Sequence, residues 1–157
     1  MRRHRRMGEG ETLRTIERQT TIDATPEKVF SYLADFTRHT EWAAHRLQVM
    51  KTAQDAVGVG ATFASEGRMT GGKFRDDITI TEFVPNDRIV FEVNGDTGRF
   101  RHYLILREES GVTFLTKAVE PLQLNLEWRL RWLIARFVIP HILGGDLKRI
   151  KARLESA

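Results

Sequence analysis

Thr20-Thr21-Ile22-Asp23-Ala24-Thr25-Pro26-Glu27-Lys28-Val29-Phe30-Ser31-Tyr32-Leu33-Ala34-Asp35-Phe36, followed by Glu41-Trp42, is the stretch from which the fold can be read. The Thr- and Ile-rich run over 12–23 favours extended backbone and stops at Ala24-Thr25-Pro26, where a strand gives way to a helix. Thr25 is the predicted N-cap, because its hydroxyl can accept from a first-turn N–H, and Pro26 suits the next position, which needs no backbone donor. Val29, Phe30, Leu33 and Phe36 recur at helical spacing, while Glu27, Lys28, Ser31 and Asp35 fall mostly elsewhere. A helix with one apolar stripe needs a surface to cover it, and that surface has to lie further along the chain.

A second short helix is predicted over 37–44, carrying Trp42. The apolar period then changes to two, with strands predicted near 46–53, 61–69, 74–84, 88–94, 99–108 and 112–120. Turn signals separate them: Gly58 and Gly60, Gly71-Gly72, Pro85-Asn86-Asp87, Asn94-Gly95-Asp96 with Gly98, and Ser110-Gly111. Hairpins in sequence imply an antiparallel sheet. In the segment 123–157, Leu126, Leu130, Leu133 and Phe137 form a helical stripe able to lie on the concave side of that sheet. Pro140 and Gly144-Gly145 predict a kink or interruption, with a restart over 146–155. A second stripe, Trp128, Trp132, Ile139 and Leu143 among Arg129, Arg131 and Arg136, also needs cover, and its candidates are the strand ends or the helix after Pro140, the cavity contents, a homodimer partner or a membrane surface.

The chain resembles the polyketide cyclase/dehydrase-like branch of the START-type (SRPBCC) superfamily. The residues carrying the likeness are Ile22 to Pro26, Val29-Phe30, Leu33 to Phe36 and Trp42, then Thr81 to Phe91 and Asp146 to Glu155. The resemblance implies an α+β helix-grip fold, in which about seven antiparallel strands wrap a long C-terminal helix and two short helices follow the first strand. It also implies a pocket for an apolar small molecule. It assigns no catalytic role to any residue, since the superfamily spans lipid carriers, quinone binders and aromatic polyketide cyclases.

Composition narrows the classes further. A chain of 157 residues with 41% hydrophobic content supports one core, expected over 11–157 after a disordered basic tail at 1–10. Without cysteine there is no disulfide framework and no thiolate nucleophile, and neither a metal site nor a cofactor is expected. The net charge of +4 equals the four arginines Arg2, Arg3, Arg5 and Arg6, so the body is neutral and nucleic-acid binding is not expected. The tail has no apolar run of signal or membrane-span type, which makes the cytoplasm the expected location.

Strand alternation nominates the interior. Phe63, Ser65 and Met69 point inward on one strand, with Phe74, Asp76, Ile78 and Ile80 on the next. Ile89, Phe91 and Val93 follow, then Phe100, His102, Leu104 and Leu106, and last Val112, Phe114 and Thr116. The predicted ligand contacts are Trp42, Phe63, Phe74, Asp76, Ile78, Phe91, His102 and Phe114 from the grip, with Leu130 and Phe137 from the helix. An Asp76–His102 dyad is opposed by geometry. If Ile80 pairs with Phe91 and Phe91 with His102, Asp76 lies four residues from that rung, roughly 13 Å along the strand.

Three functions remain open at this point. The first is a binder of a lipid, quinone or polyketide-like molecule. An aromatase/cyclase- or dehydrase-type enzyme is the second, and a membrane-associated or protein-binding adaptor using the Trp128/Trp132 face is the third.

Overall fold

The computed structural model describes residues 15–44, 48–52, 56–69, 72–96, 98–124 and 126–156. Parts of the predicted first and second strands, the basic tail and the side chain of Met69 lie outside the described residues. One sheet has the order β1-β7-β6-β5-β4-β3-β2, every neighbouring pair antiparallel. Its strands are β1 (Ile16–Ile22), β2 (Gln48–Lys51), β3 (Thr62–Met69), β4 (Gly72–Val84), β5 (Arg88–Gly95), β6 (Gly98–Glu109) and β7 (Val112–Gln123). Five consecutive hairpins from β2 to β7 make a meander, and β1 returns to close against β7. With α1 (Pro26–Ala34) and the long α2 (Leu126–Glu155), this is the helix-grip arrangement.

Thr25 caps α1, its Oγ1 accepting from the Lys28 N–H at 3.3 Å, and Pro26 opens the helix. The second short helix is a 3-10 helix over Phe36–Glu41, tighter and earlier than the predicted 37–44. Asp35 accounts for the shift: its carboxylate accepts from the Thr37 N–H at 3.2 Å and starts the turn there. Glu41 secures the other end by accepting from Tyr32 Oη at 2.9 Å and Arg38 Nε at 3.1 Å. Trp42 is thereby held at the end of the turn and buried.

The core joins Val29, Phe30, Leu33 and Phe36 to the concave sheet face and to Leu147, Ile150 and Leu154 of α2. Two expectations about α2 are corrected. The helix runs through Pro140 and Gly144-Gly145 without interruption. Arg136, whose carbonyl loses its helical donor to Pro140, sits on an exposed turn where water can substitute. Second, Leu130 and Phe137 face solvent, 64% and 65% exposed, and do not lie on the sheet. Continuity explains the exchange. At about 100° per residue, Trp132, Ile139 and Leu143 share the side of Leu147, Ile150 and Leu154, and Leu130 and Phe137 lie roughly opposite. Trp132 accordingly meets Phe100 of β6, ring centroids 6.0 Å apart.

Strand β7 is also turned over relative to its predicted phase. Thr113, Leu115, Lys117 and Val119 are buried, whereas Phe114 is on the outer face beneath the Arg107 guanidinium, 5.6 Å from its ring centroid. The cause is the two-residue turn Ser110-Gly111, both residues at positive φ (54° and 79°), which pairs Glu109 with Val112 and hence Leu106 with Leu115.

The helix phase predicts a contrast measurable by chemical denaturation. Ile150→Ala, in the core, should lower stability by about 2–5 kcal/mol, whereas Leu130→Ala should change it by less than about 0.5 kcal/mol.

Candidate functional site

The concave face is built of rungs. Ile80, Phe91, His102 and Val119 form one across β4 to β7, with Ile89, Leu104 and Lys117 next to it on one side. On the other side come Ile78, Val93, Phe100 and Pro121, and then Ser65 and Asp76 opposite Gly95. Helix α1 and the 3-10 turn pack on this face. Phe36 stacks on Phe63 at 4.8 Å and meets Phe91 edge-on at 5.1 Å, and His102 stacks flat on Phe91 at 5.0 Å. Thus Trp42, Phe63, Phe91 and His102 gather in one cluster, with Ile78 and a half-buried Phe74 further along β4. Phe114, Leu130 and Phe137 do not join them. The register keeps Asp76 four residues from the His102 rung, so the two form no dyad.

Four polar residues that strand alternation did not nominate complete the interior: His39, Lys117, Asp146 and Arg149. Lys117 Nζ donates to Asp146 Oδ2, both side chains almost fully buried, and lies 4.5 Å over the Trp42 ring. Arg149 donates from Nη2 to Asp146 Oδ1 at 2.7 Å and from Nε to the Trp42 carbonyl at 2.6 Å. One aspartate therefore ties β7, α2 and the end of the 3-10 turn together. His39 packs between Phe36 and Trp42, with Nε2 at 3.4 Å from the Leu33 carbonyl, a contact that fits a neutral ring donating from Nε2. The sequence signal for Lys117 was available, since the Ser110-Gly111 turn dictates that Lys117 shares a face with Leu115 and Val119.

Burial dominates the electrostatics. It pulls the His39 and His102 imidazoles down to about 3, helped by the Lys117 charge nearby and, for His102, by His39. Burial also holds the Lys117 ammonium below the usual lysine range, against the opposing pull of Asp146. At neutral pH the centre thus contains two uncharged imidazoles beside a lysine–aspartate pair. A base this weak is poorly matched to taking a proton at pH 7, but it can donate or accept a hydrogen bond.

Asp76 lies one rung beyond Ile78 on β4, opposite Gly95. It is 7% exposed, and burial, with Asp96 and Asp77 adding repulsion, raises its carboxyl to about 6. Its Oδ1 has no hydrogen-bond partner among the described residues, and the buried Trp42 Nε1–H has none either. Gly95 makes room for the carboxylate: a Cβ there would fall 1.8 Å from Asp76 Oδ1. Beyond the Phe100 rung, a groove of about 350 Å³ opens where Pro121 to Leu124 meet Arg129 and Trp132 of α2. No group of three His, Asp or Glu side chains converges as metal donors among the described residues. On the convex side, Arg99 and Arg101 both pair with Glu92 in a cross-strand ion-pair network.

A sheet gripping a helix over an apolar interior with a few polar groups defines the class of START-like helix-grip domains. The chain belongs to the family described as polyketide cyclase / dehydrase and lipid transport, whose model matches residues 14–155. Solved structures agree on the fold. A protein from Chromobacterium violaceum is 21% identical, with a TM-score of 0.66 over 90% of this chain and 98% of that one. A protein from Thermus thermophilus is 16% identical, with a TM-score of 0.73 over 90% and 97%. A START superfamily protein from Mycobacterium smegmatis is 13% identical, with a TM-score of 0.72 over 91% and 98%. No curated protein matches the sequence.

Asp146→Ala leaves Lys117 buried without its counter-ion and should cost about 3–5 kcal/mol, while Lys117→Met, which leaves Asp146 paired with Arg149, should cost clearly less; thermal unfolding separates them. The pH dependence has a definite sign. Unfolded histidines bind protons near pH 6.5 and the folded ones resist until about 3. Stability should therefore fall with acidification through that window, by up to about 1.4 kcal/mol per pH unit for each histidine. Asp76 acts oppositely: its folded carboxyl, raised from 3.8 to about 6, weakens the fold as pH rises between those values. Asp76→Asn should accordingly stabilise the protein at pH 7, by about 1–3 kcal/mol in denaturant titrations.

Proposed function

We propose that the chain binds an apolar small molecule, of the lipid, quinone or polyketide type, between the concave sheet face and the first half of α2. The reading rests chiefly on two buried polar atoms that find no hydrogen-bond partner among the described residues, Trp42 Nε1–H and Asp76 Oδ1, in a mainly aromatic and aliphatic interior. Folded chains rarely leave such groups unmade, and each costs about 1–3 kcal/mol when orphaned. A bound molecule with a carbonyl or ether oxygen for Trp42 and a hydroxyl for Asp76 would satisfy both. Half-buried Phe74, Val93, Phe100 and Trp132 supply further apolar surface beside them.

Affinity would come mainly from apolar area removed from water, at about 25 cal/mol per Å² before ordering costs. The polar atoms would set orientation. A cyclase or dehydrase reading draws less support, because an imidazole held near 3 is a weak base at neutral pH. His102 is instead assigned to hydrogen bonding with the ligand.

Displacement of a fluorescent apolar probe by a long-chain fatty acid, a short-tailed quinone and a multi-ring polyketide tests the reading. At least one should compete saturably, and Trp42→Phe, which removes one donor while keeping an aromatic wall, should weaken it by about 5- to 10-fold. Absence of competition by all three, or an unchanged affinity in the Trp42 variant, would contradict the reading.

A further inference from the structure

The first half of α2 has a face that the sheet does not cover. Leu126, Leu130, Leu133, Ile134, Phe137 and Val138 are all exposed along successive turns. Single exposed apolar residues are ordinary on a protein surface, but a contiguous patch of this kind marks an interaction site. Its charge is one-sided. Residues 126–138 hold Arg129, Arg131 and Arg136 against the single carboxylate of Glu127, which is paired with Arg131 at 2.6 Å. The Arg136 guanidinium lies 4.8 Å over the Phe137 ring and that of Arg131 5.5 Å over Trp128, so the cations stay level with the apolar side chains.

A second copy of the chain is a poor occupant. Leu126, Leu130, Leu133 and Phe137 alternate by four and three as in a paired-helix seam, but Pro140 follows before the pattern is long enough for a coiled coil. Arg129 and Arg136 occupy the same flanking position of that seam. A symmetric antiparallel pair would set them against each other, and a parallel pair would set them against Ile134 and His141, with no carboxylate in either case. An anionic bilayer surface suits both features, since its headgroups complement the arginines and its acyl boundary accepts leucine and phenylalanine. We infer that the Leu126–Val138 face of α2 docks the protein on anionic membranes. No helix among the described residues is long and apolar enough to cross one, so the contact is peripheral. The inference stands apart from the ligand-binding proposal, but docking would bring the groove bordered by Arg129 and Trp132 to the lipid surface.

Co-sedimentation of the full chain with phosphatidylcholine vesicles, with and without phosphatidylserine, is the test. Binding is expected to require phosphatidylserine and to weaken as salt is raised. The N-terminal arginines also attract anionic lipid, so the decisive variant is Leu130→Ser with Phe137→Ser, which alters two exposed side chains and should keep the fold. It should bind the vesicles at least about tenfold more weakly, while its displacement of the fluorescent probe in solution is unchanged. Wild-type-like vesicle binding by that variant would overturn the inference. So would no binding by the wild type, or a wild-type dimer in sizing columns that the double variant dissociates without any vesicle binding.

Discussion

Lys117 on β7 and Asp146 on α2 meet with both side chains almost fully buried, and this contact requires the same angular position of the helix as the continuous apolar stripe that enters the core. Burying two charges costs several kcal/mol that their attraction only roughly offsets, so the pair is a weak source of net stability. Its structural effect is on orientation. With Asp146 turned inward, Leu147, Ile150 and Leu154 enter the core and Trp132 reaches Phe100, while Leu130 and Phe137 are carried to the opposite side. Arg149 extends the contact to the Trp42 carbonyl, so the same aspartate also holds Trp42 against the interior.

The part of the fold that local chemistry dictates was readable from the residues. Thr25-Pro26 starts α1, and the Pro85-Asn86-Asp87 turn and the glycines Gly95 and Gly98 separate strands whose registers place Phe91 beside both Ile80 and His102. What misled was phase. Phe114 is apolar and Lys117, on the alternate face, is charged, so hydrophobicity alone turned β7 outside in, although the two-residue turn before it fixes the parity. In α2, treating Pro140 as a break cut the first half of the helix loose from Leu147 and Ile150, and the wrong one of two apolar stripes was set against the sheet. Both errors hid the same pair of residues, because Lys117 and Asp146 look like surface charges until their elements are turned correctly.

The interior is thus partly legible from sequence and partly a product of tertiary packing. Trp42, Phe63, Phe91 and His102 meet as alternation and helical spacing suggest. The depressed basicity of His102 could not be foreseen, since it depends on burial and on a lysine from another strand. That shift separates a group suited to holding a ligand from one suited to moving its protons. The raised carboxyl of Asp76 has a similar origin, in enclosure by Gly95 and repulsion by neighbouring aspartates rather than in any local motif.

The central claim is that the space between sheet and helix accepts a guest whose polar atoms complete Trp42 and Asp76. Native mass spectrometry of the purified protein, repeated after incubation with a total lipid and quinone extract, tests it most directly. The expected result is a protein–ligand species at one-to-one stoichiometry whose guest is released by organic solvent and is largely apolar with one or two oxygen functions. A bare chain mass under both conditions would contradict it.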